Sequence, residues 1–149
     1  MHITQHTDYA LRVLIYMAAC TERLVTVKEI AERFEISRSH VMKIVSQLVA
    51  EGFVEGLRGK GGGLRLMRPA PEIVVGEVVR RMEPGFDLVD CFRSDSSCLL
   101  SPGCRLKGAF SSALQAFLAS LDEVTLADLV AQKSRLRGVL KIVAVGTQA

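Results

Sequence analysis

The 149 residues contain no tryptophan, two tyrosines and six phenylalanines. So little aromatic surface argues against base stacking on single strands as a main activity. Long apolar runs are missing too. The stretch from Tyr9 to Cys20 is broken by Arg12 and falls short of the roughly 20 residues that a bilayer-crossing helix needs. The opening residues are polar and carry no secretory pattern. A cytoplasmic, reducing compartment with no membrane partner is therefore expected, and clustered cysteines there are more often metal-binding or redox-active than disulfide-bonded. No Cys-x-x-Cys occurs, and His2, His6 and His40 are remote from the cysteine-rich stretch. A P-loop is excluded as well. Gly59-Lys60 is followed by Gly61 rather than Ser or Thr, and Val54 stands where the first glycine should be.

What is present is apolar content and unevenly placed charge. Hydrophobic residues make up 49%, enough for one domain or two small ones to build a core without disulfides. Residues 1–71 hold ten Lys/Arg against seven Asp/Glu, whereas residues 72–149 hold nine of each. Within 38–68 the basic residues Arg38, Lys43, Arg58, Lys60, Arg65 and Arg68 face only Glu51 and Glu55. A local basic face of this kind suits duplex DNA better than a membrane surface.

The spacing predicts a helix from the Thr4–Thr7 region to about Cys20. Leu11, Leu14, Ile15 and Ala18 form one apolar face of it, Val13, Met17 and Cys20 a second, and Asp8 and Arg12 are paired i,i+4. Thr26 with Glu29 reads as a capping box for a helix over Val27–Phe34. Ser37 caps a third helix reaching about Glu51, with Val41, Ile44, Val45, Leu48 and Val49 inward. Arg38, Ser39, His40, Lys43 and Gln47 remain outside. Two short helices with polar reach at the start of the second form a helix-turn-helix, whose second helix presents such residues to base edges. A solvated helix face would look similar, and the segment after Glu51 adds weight to the DNA reading. Gly52 ends the helix, Phe53-Val54-Glu55 and Leu64-Arg65-Leu66 read as paired strands, and the glycine-rich turn between them carries Arg58 and Lys60. The fold class expected is mainly α: a winged helix-turn-helix over 1–72, then a linker helix and cysteine loop over 73–105. A dimerisation helix with a short terminal helix over 102–132 comes next, then an unassigned tail over 133–149.

The linker helix spans Val75–Met82 and stops at Pro84-Gly85. The cysteine loop holds Cys91, Cys98 and Cys104, with six and five residues between them. Ser101 and Pro102 suit the N-cap and first position of a helix to about Leu121, which puts Cys104 in its first turn, where the dipole favours an anion. Leu106, Phe110, Ala113, Leu114, Phe117, Leu118 and Leu121 form an apolar stripe along it, read as a homodimer element that sets two wings on one palindromic site. Thr125 caps a last helix, Leu126–Gln132. The cysteine spacing leaves iron–sulfur ligation, zinc, redox thiols and a structural role open. It is wide for a zinc finger, and three cysteines leave one over in a disulfide scheme. Cys20, alone on an apolar helix, reads as core. An enzyme using a labile iron would need acid–base groups near the loop, and only Asp87, Asp90 and Asp95 are close in sequence.

Several stretches carry a resemblance. They are Thr7-Asp8-Tyr9-Ala10-Leu11-Arg12, Ser37-Arg38-Ser39-His40-Val41-Met42-Lys43-Ile44, Arg58-Gly59-Lys60-Gly61-Gly62-Gly63, Pro102-Gly103-Cys104-Arg105-Leu106-Lys107 and Thr125-Leu126-Ala127-Asp128-Leu129-Val130. In these the sequence resembles the bacterial winged-helix regulators that include the iron–sulfur regulator IscR and the nitric-oxide-sensing repressor NsrR, with the closer likeness to the nitric-oxide sensors. The resemblance implies a homodimeric, non-enzymatic repressor that binds double-stranded operator DNA and releases it when nitric oxide nitrosylates its cluster. It implies ligation by Cys91, Cys98 and Cys104, with Asp8 of the partner subunit as fourth ligand and Arg12 close to the cluster. The cluster expected is 4Fe–4S, with 2Fe–2S as second choice. A regulator of cluster-biogenesis or oxidative-stress genes is the alternative.

Overall fold

The computed structural model describes residues 2–100 and 103–142. At its centre is α1 (Gln5–Ala19), capped by Thr4, whose hydroxyl accepts from the Thr7 amide. Ala10, Val13, Leu14, Met17, Ala18 and Cys20 are all buried, so the helix is covered on most sides, as its two apolar faces require.

Two short helices pack beside it. α2 (Val27–Phe34) is capped by Thr26, which accepts from the Glu29 amide. The return half of the expected capping box gives way to stronger partners: the Glu29 carboxylate takes the Arg23 guanidinium and the Tyr16 hydroxyl. Glu35 turns the chain in the left-handed region at φ 55°. Ser37 then caps α3 (Arg38–Ala50), accepting from the His40 amide. Val41, Ile44, Val45 and Leu48 are buried, but Val49, expected inward, is 42% exposed. It lies one residue beyond Leu48, about 100° further round the helix and past the edge of the apolar stripe.

Gly52, at φ 77°, ends α3. The wing is an antiparallel pair, β1 (Val54–Leu57) and β2 (Gly63–Leu66), with Val54 opposite Leu66 and Leu57 opposite Gly63. The first strand starts one residue later than the sequence suggests. The Phe53 amide is taken by the Leu48 carbonyl at 2.9 Å, and its ring is buried beneath the Arg68 guanidinium. Gly59 and Gly61, at φ 102° and 80°, make the tip in a conformation that other residues resist. Helices with one two-stranded hairpin in this order form the winged helix expected.

α4 (Val75–Met82) turns Val78, Val79 and Met82 inward as its spacing requires. After the cysteine loop comes α5 (Arg105–Asp122), which packs on α4. It begins three residues later than Pro102, and Cys104 is its N-cap rather than a first-turn residue. Ser101 and Pro102, read as cap and first position, lie outside the described residues. The far end of α5 is pinned by a two-pronged pair, Arg80 to Asp122 at 2.5 and 2.6 Å. Gly76 makes room for it: a Cβ there would meet Asp122 Oδ1 at 2.0 Å. Thr125 and Asp128 form a full capping box on α6 (Leu126–Leu129). This helix is shorter than expected because the chain breaks at Val130, which is buried, and starts afresh in α7 (Lys133–Val139). The first part of the tail therefore has structure that the sequence did not announce. Among the described residues no helix is long and apolar enough to cross a membrane.

Candidate DNA interface and cysteine loop

The first turns of α3 present Arg38, Ser39, Met42 and Lys43 to solvent. Arg38 is not free of company: Glu32 on α2 lies 3.7 Å from its guanidinium and 3.8 Å from the Lys28 ammonium. His40 and Gln47, expected on the same outer face, are half-buried and engaged with α1. The His40 ring packs edge-on against Tyr9 with centroids 5.3 Å apart, and Gln47 Oε1 lies 2.8 Å from His6 Nε2. Glu32 and the exposed Met42 were not singled out by sequence reasoning. The i,i+4 spacing of Lys28 and Glu32 was the available signal for the former.

At the wing tip Arg58 and Lys60 are both exposed. The other basic residues of the hairpin region have partners. Arg65 pairs with Glu55 across the strands, and Arg68 takes both carboxylate oxygens of Glu77 at 3.1 Å. Of the basic residues between 38 and 68, Lys43 on α3 and Arg58 and Lys60 at the wing tip have no carboxylate partner among the described residues and can approach phosphates.

In the cysteine loop, Cys91 sits half-buried in a single helical turn, Asp90–Phe92, and Cys98 is exposed. Both line one hollow of about 560 Å³ with Asp90, Arg93, Asp95 and Ser96. The Arg93 guanidinium takes both oxygens of Asp95 at 3.0 Å, and Ser96 Oγ accepts from the Cys98 amide. Cys104 stands at the N-cap position of α5, outside this hollow. All three thiols are free of disulfides. Soft thiolate donors of this kind suit an iron–sulfur cluster, so the donor chemistry fits. The single chain does not complete the set, since among the described residues no three Cys, His, Asp or Glu side chains converge on one point. Asp8 is half-exposed on α1 and pairs with Arg12 at 2.8 Å, and the Arg12 guanidinium also lies over the Tyr9 ring. Cys20 stands apart, 1% exposed, with burial pushing its thiol pKa up.

Residues 3–132 match the family described as Rrf2: Iron-dependent Transcriptional regulator. The chain belongs to the Rrf2 family. Its members are transcription regulators rather than enzymes. Among solved structures it is similar in fold to T. potens IscR, with a TM-score of 0.72 at 24% identity over 98% of this chain and 94% of that one. It is also similar to the oxidized form of Staphylococcus aureus CymR, with a TM-score of 0.70 at 26% identity over 87% and 95% of the two chains. The corresponding values for CymR, the global cysteine regulator of B. subtilis, are 0.64, 25%, 89% and 98%. In this Rrf2 chain both α7 and the much longer α5 are short of cover, and of the two it is α5 that carries the apolar stripe. None of its 18 residues is buried, Leu106 is 63% exposed and Phe110 36%, and Leu99 and Leu100 just before it are more exposed still.

Proposed function

We propose that the protein is a homodimeric repressor that binds palindromic operator DNA and senses nitric oxide through an iron–sulfur cluster, 4Fe–4S by preference. One observation carries this reading. The three free thiols lie on the stretch that leads into α5, with Cys104 at its N-cap position, and the first turns of α5 expose Leu106 and Phe110. An amphipathic helix whose leading apolar residues are exposed is what a two-fold interface buries, which puts the cysteine loop at the edge of that interface.

Cys91, Cys98 and Cys104 hold the cluster, and Asp8 of the partner subunit supplies the fourth bond. Such a group would supply an iron held by the Asp8 carboxylate rather than by a thiolate, a weaker bond that would be open to nitric oxide. The remaining steps belong to the protein. In the free chain Arg12 holds the Asp8 carboxylate; on assembly that carboxylate turns to the neighbouring loop with Arg12 beside it. Release of Asp8 frees α1 and with it the spacing of the two α3 helices, which a two-half-site operator measures. Arg38, Ser39 and Lys43 read the major groove, and Arg58 and Lys60 hold the backbone beside it.

The test is a titration of anaerobically purified protein with nitric oxide, followed by absorption and by binding to its operator duplex. The expected result is loss of the duplex in step with the spectral change. Unchanged binding would remove the nitric oxide claim and leave a regulator of cluster-biogenesis or oxidative-stress genes. Cys98→Ala protein that keeps a full cluster would remove the ligand set.

A further inference from the structure

His6 on α1, Gln47 on α3 and the Arg81 carbonyl near the end of α4 form one run of hydrogen bonds. His6 Nε2 lies 2.8 Å from Gln47 Oε1, and Gln47 Nε2 donates to the Arg81 carbonyl at 3.0 Å. The direction is fixed from the α4 end. A carbonyl only accepts, so Gln47 turns its amide nitrogen to Arg81 and its oxygen to His6, and His6 Nε2 must carry the hydrogen. Two further contacts close the same seam. His40 packs on Tyr9 and lies 6.2 Å from the His6 ring, while the Thr4 amide and hydroxyl both donate to Glu83 at 2.8 and 3.0 Å.

The two elements bound by Gln47 are those that lead to the cysteine site. His6 is two residues before Asp8 on α1, and Arg81 lies where α4 runs out toward the loop bearing Cys91. A glutamine that reads adenine turns both its oxygen and its nitrogen to the base, and here each already has a partner inside the protein that holds the side chain toward α1 and α4. We propose that Gln47 is a positioning residue, coupling the cysteine loop and the Asp8 helix to the recognition helix of the same chain, and not a reader of bases. This rests on the proposed cluster site. Hydrogen bonds weaken steeply with misalignment. A shift of α1 or α4 therefore passes to α3 through Gln47 or breaks the link.

The test uses full-length dimer and a duplex selected from random-sequence DNA by the cluster-loaded wild type. Gln47→Met keeps side-chain length and helix propensity but makes neither bond. The quantity read is the ratio of duplex affinities of cluster-loaded and cluster-free protein. For the wild type it is expected to be on the order of tenfold or more; for Gln47→Met it falls to about threefold or less, with the absorption spectrum of the loaded protein unchanged. A Gln47→Met protein that loses affinity equally in both states and keeps the wild-type ratio overturns the inference alone. A wild-type ratio near one overturns the cluster site and the inference together. An independent readout needs no cluster: the imidazole ¹⁵N spectrum of cluster-free protein should show His6 protonated at Nε2 in the wild type and altered in Gln47→Met. His6 protonated at Nδ1 alone in the wild type overturns the inference as well.

Discussion

Tyr16 on α1 donates its hydroxyl to Glu29 Oε1 on α2 at 2.5 Å, in a position where the tyrosine is 1% exposed. Arg23 completes the cluster, with Nη1 2.9 Å from Glu29 Oε2 and Nη2 3.8 Å from Cys20 Sγ. Tyr16→Phe leaves the ring packing on Phe34 but removes a hydrogen bond to a charged group. A loss of about 1–2 kcal/mol in unfolding free energy is expected, read from urea titration with an unchanged slope. A variant as stable as the wild type would show that Arg23 alone satisfies Glu29.

The same cluster sets the dependence of stability on pH. Burial, reinforced by the hydrogen bond to Glu29, raises Tyr16 from 10.0 to about 12. The folded protein therefore holds a proton that the unfolded chain gives up between those values, so the stabilisation is complete below pH 10 and is lost as pH rises toward 12. Burial also raises Cys20 above its ordinary 9.0, with the same sign. Glu29 behaves oppositely. The Arg23 hydrogen bond lowers it from 4.5, so its contribution is present above that value and disappears as pH falls below it. Thermal midpoints across pH should fall at both ends. Glu29→Gln should flatten the acid limb and Tyr16→Phe the alkaline one.

These pairings show where the sequence was legible. The faces of α1, α3 and α4 follow from apolar spacing, and Thr4, Thr26, Ser37 and Thr125 cap the helices they precede. Spacing could not say that His40 and Gln47 turn toward α1. Both stand on the flank of the apolar stripe, where a polar side chain goes to solvent or to a neighbour according to what the neighbouring helix offers. His6 and Tyr9 offer partners from a segment more than 30 residues away in the chain. The α5 start was displaced because Ser101-Pro102 is a good local start signal, whereas the regular helix begins after Cys104. α7 has no stripe of its own, and the contacts that hold it reach back more than 100 residues.

Those contacts lead to a third expectation. Arg137 Nε donates to the Ala19 carbonyl at 2.8 Å, one of the acceptors that the end of α1 leaves open, and its guanidinium also pairs with Glu22. Lys133 reaches Thr21 at 3.0 Å, Arg33 reaches the Lys141 carbonyl at 3.2 Å, and Ile142 is 8% exposed. α7 is thus a clasp on the C-terminal end of α1. Arg137→Ala should destabilise by roughly 1.5–3 kcal/mol, the loss expected for a hydrogen bond from a charged donor. It should also speed amide exchange in the last turn of α1, measured by hydrogen exchange. Exchange unchanged in that turn would mean that water replaces Arg137 without consequence.

The DNA face should separate into residues that hold and residues that choose. Arg58→Ala and Lys60→Ala at the wing tip should weaken binding to all duplexes alike and reduce the salt slope by about 1 each. Arg38→Ala should change which sequences are preferred. Glu32 acts against both, since its carboxylate lies 3.7 Å from Arg38 and 3.8 Å from Lys28 and repels the phosphates those groups would neutralise. Glu32→Gln should tighten binding to unrelated duplex several-fold and to the operator less, narrowing the specificity ratio. Gel shifts across a salt series decide this. Equal tightening on both duplexes would mean that Glu32 does not shape Arg38's choice.

The sharpest test of the cysteine site concerns which chain supplies the fourth bond. Asp8 is absent from the hollow that Cys91 and Cys98 line, and it pairs with Arg12 in its own chain. If Asp8 acts across the interface, a dimer of two Asp8→Ala chains has no complete site, and neither does a dimer of two chains lacking all three cysteines. A mixed dimer of one such chain with the other has one complete site, its thiols from the first and its carboxylate from the second. Differently tagged subunits, co-expressed and purified through both tags, should then carry about half the wild-type iron and sulfide, with an absorption spectrum like that of the wild type. Were Asp8 to act within its own chain, the mixed dimer would have no complete site and would match the two parent variants. Asp8→Ala homodimers that hold a full, wild-type-like cluster would exclude Asp8 from the ligand set altogether.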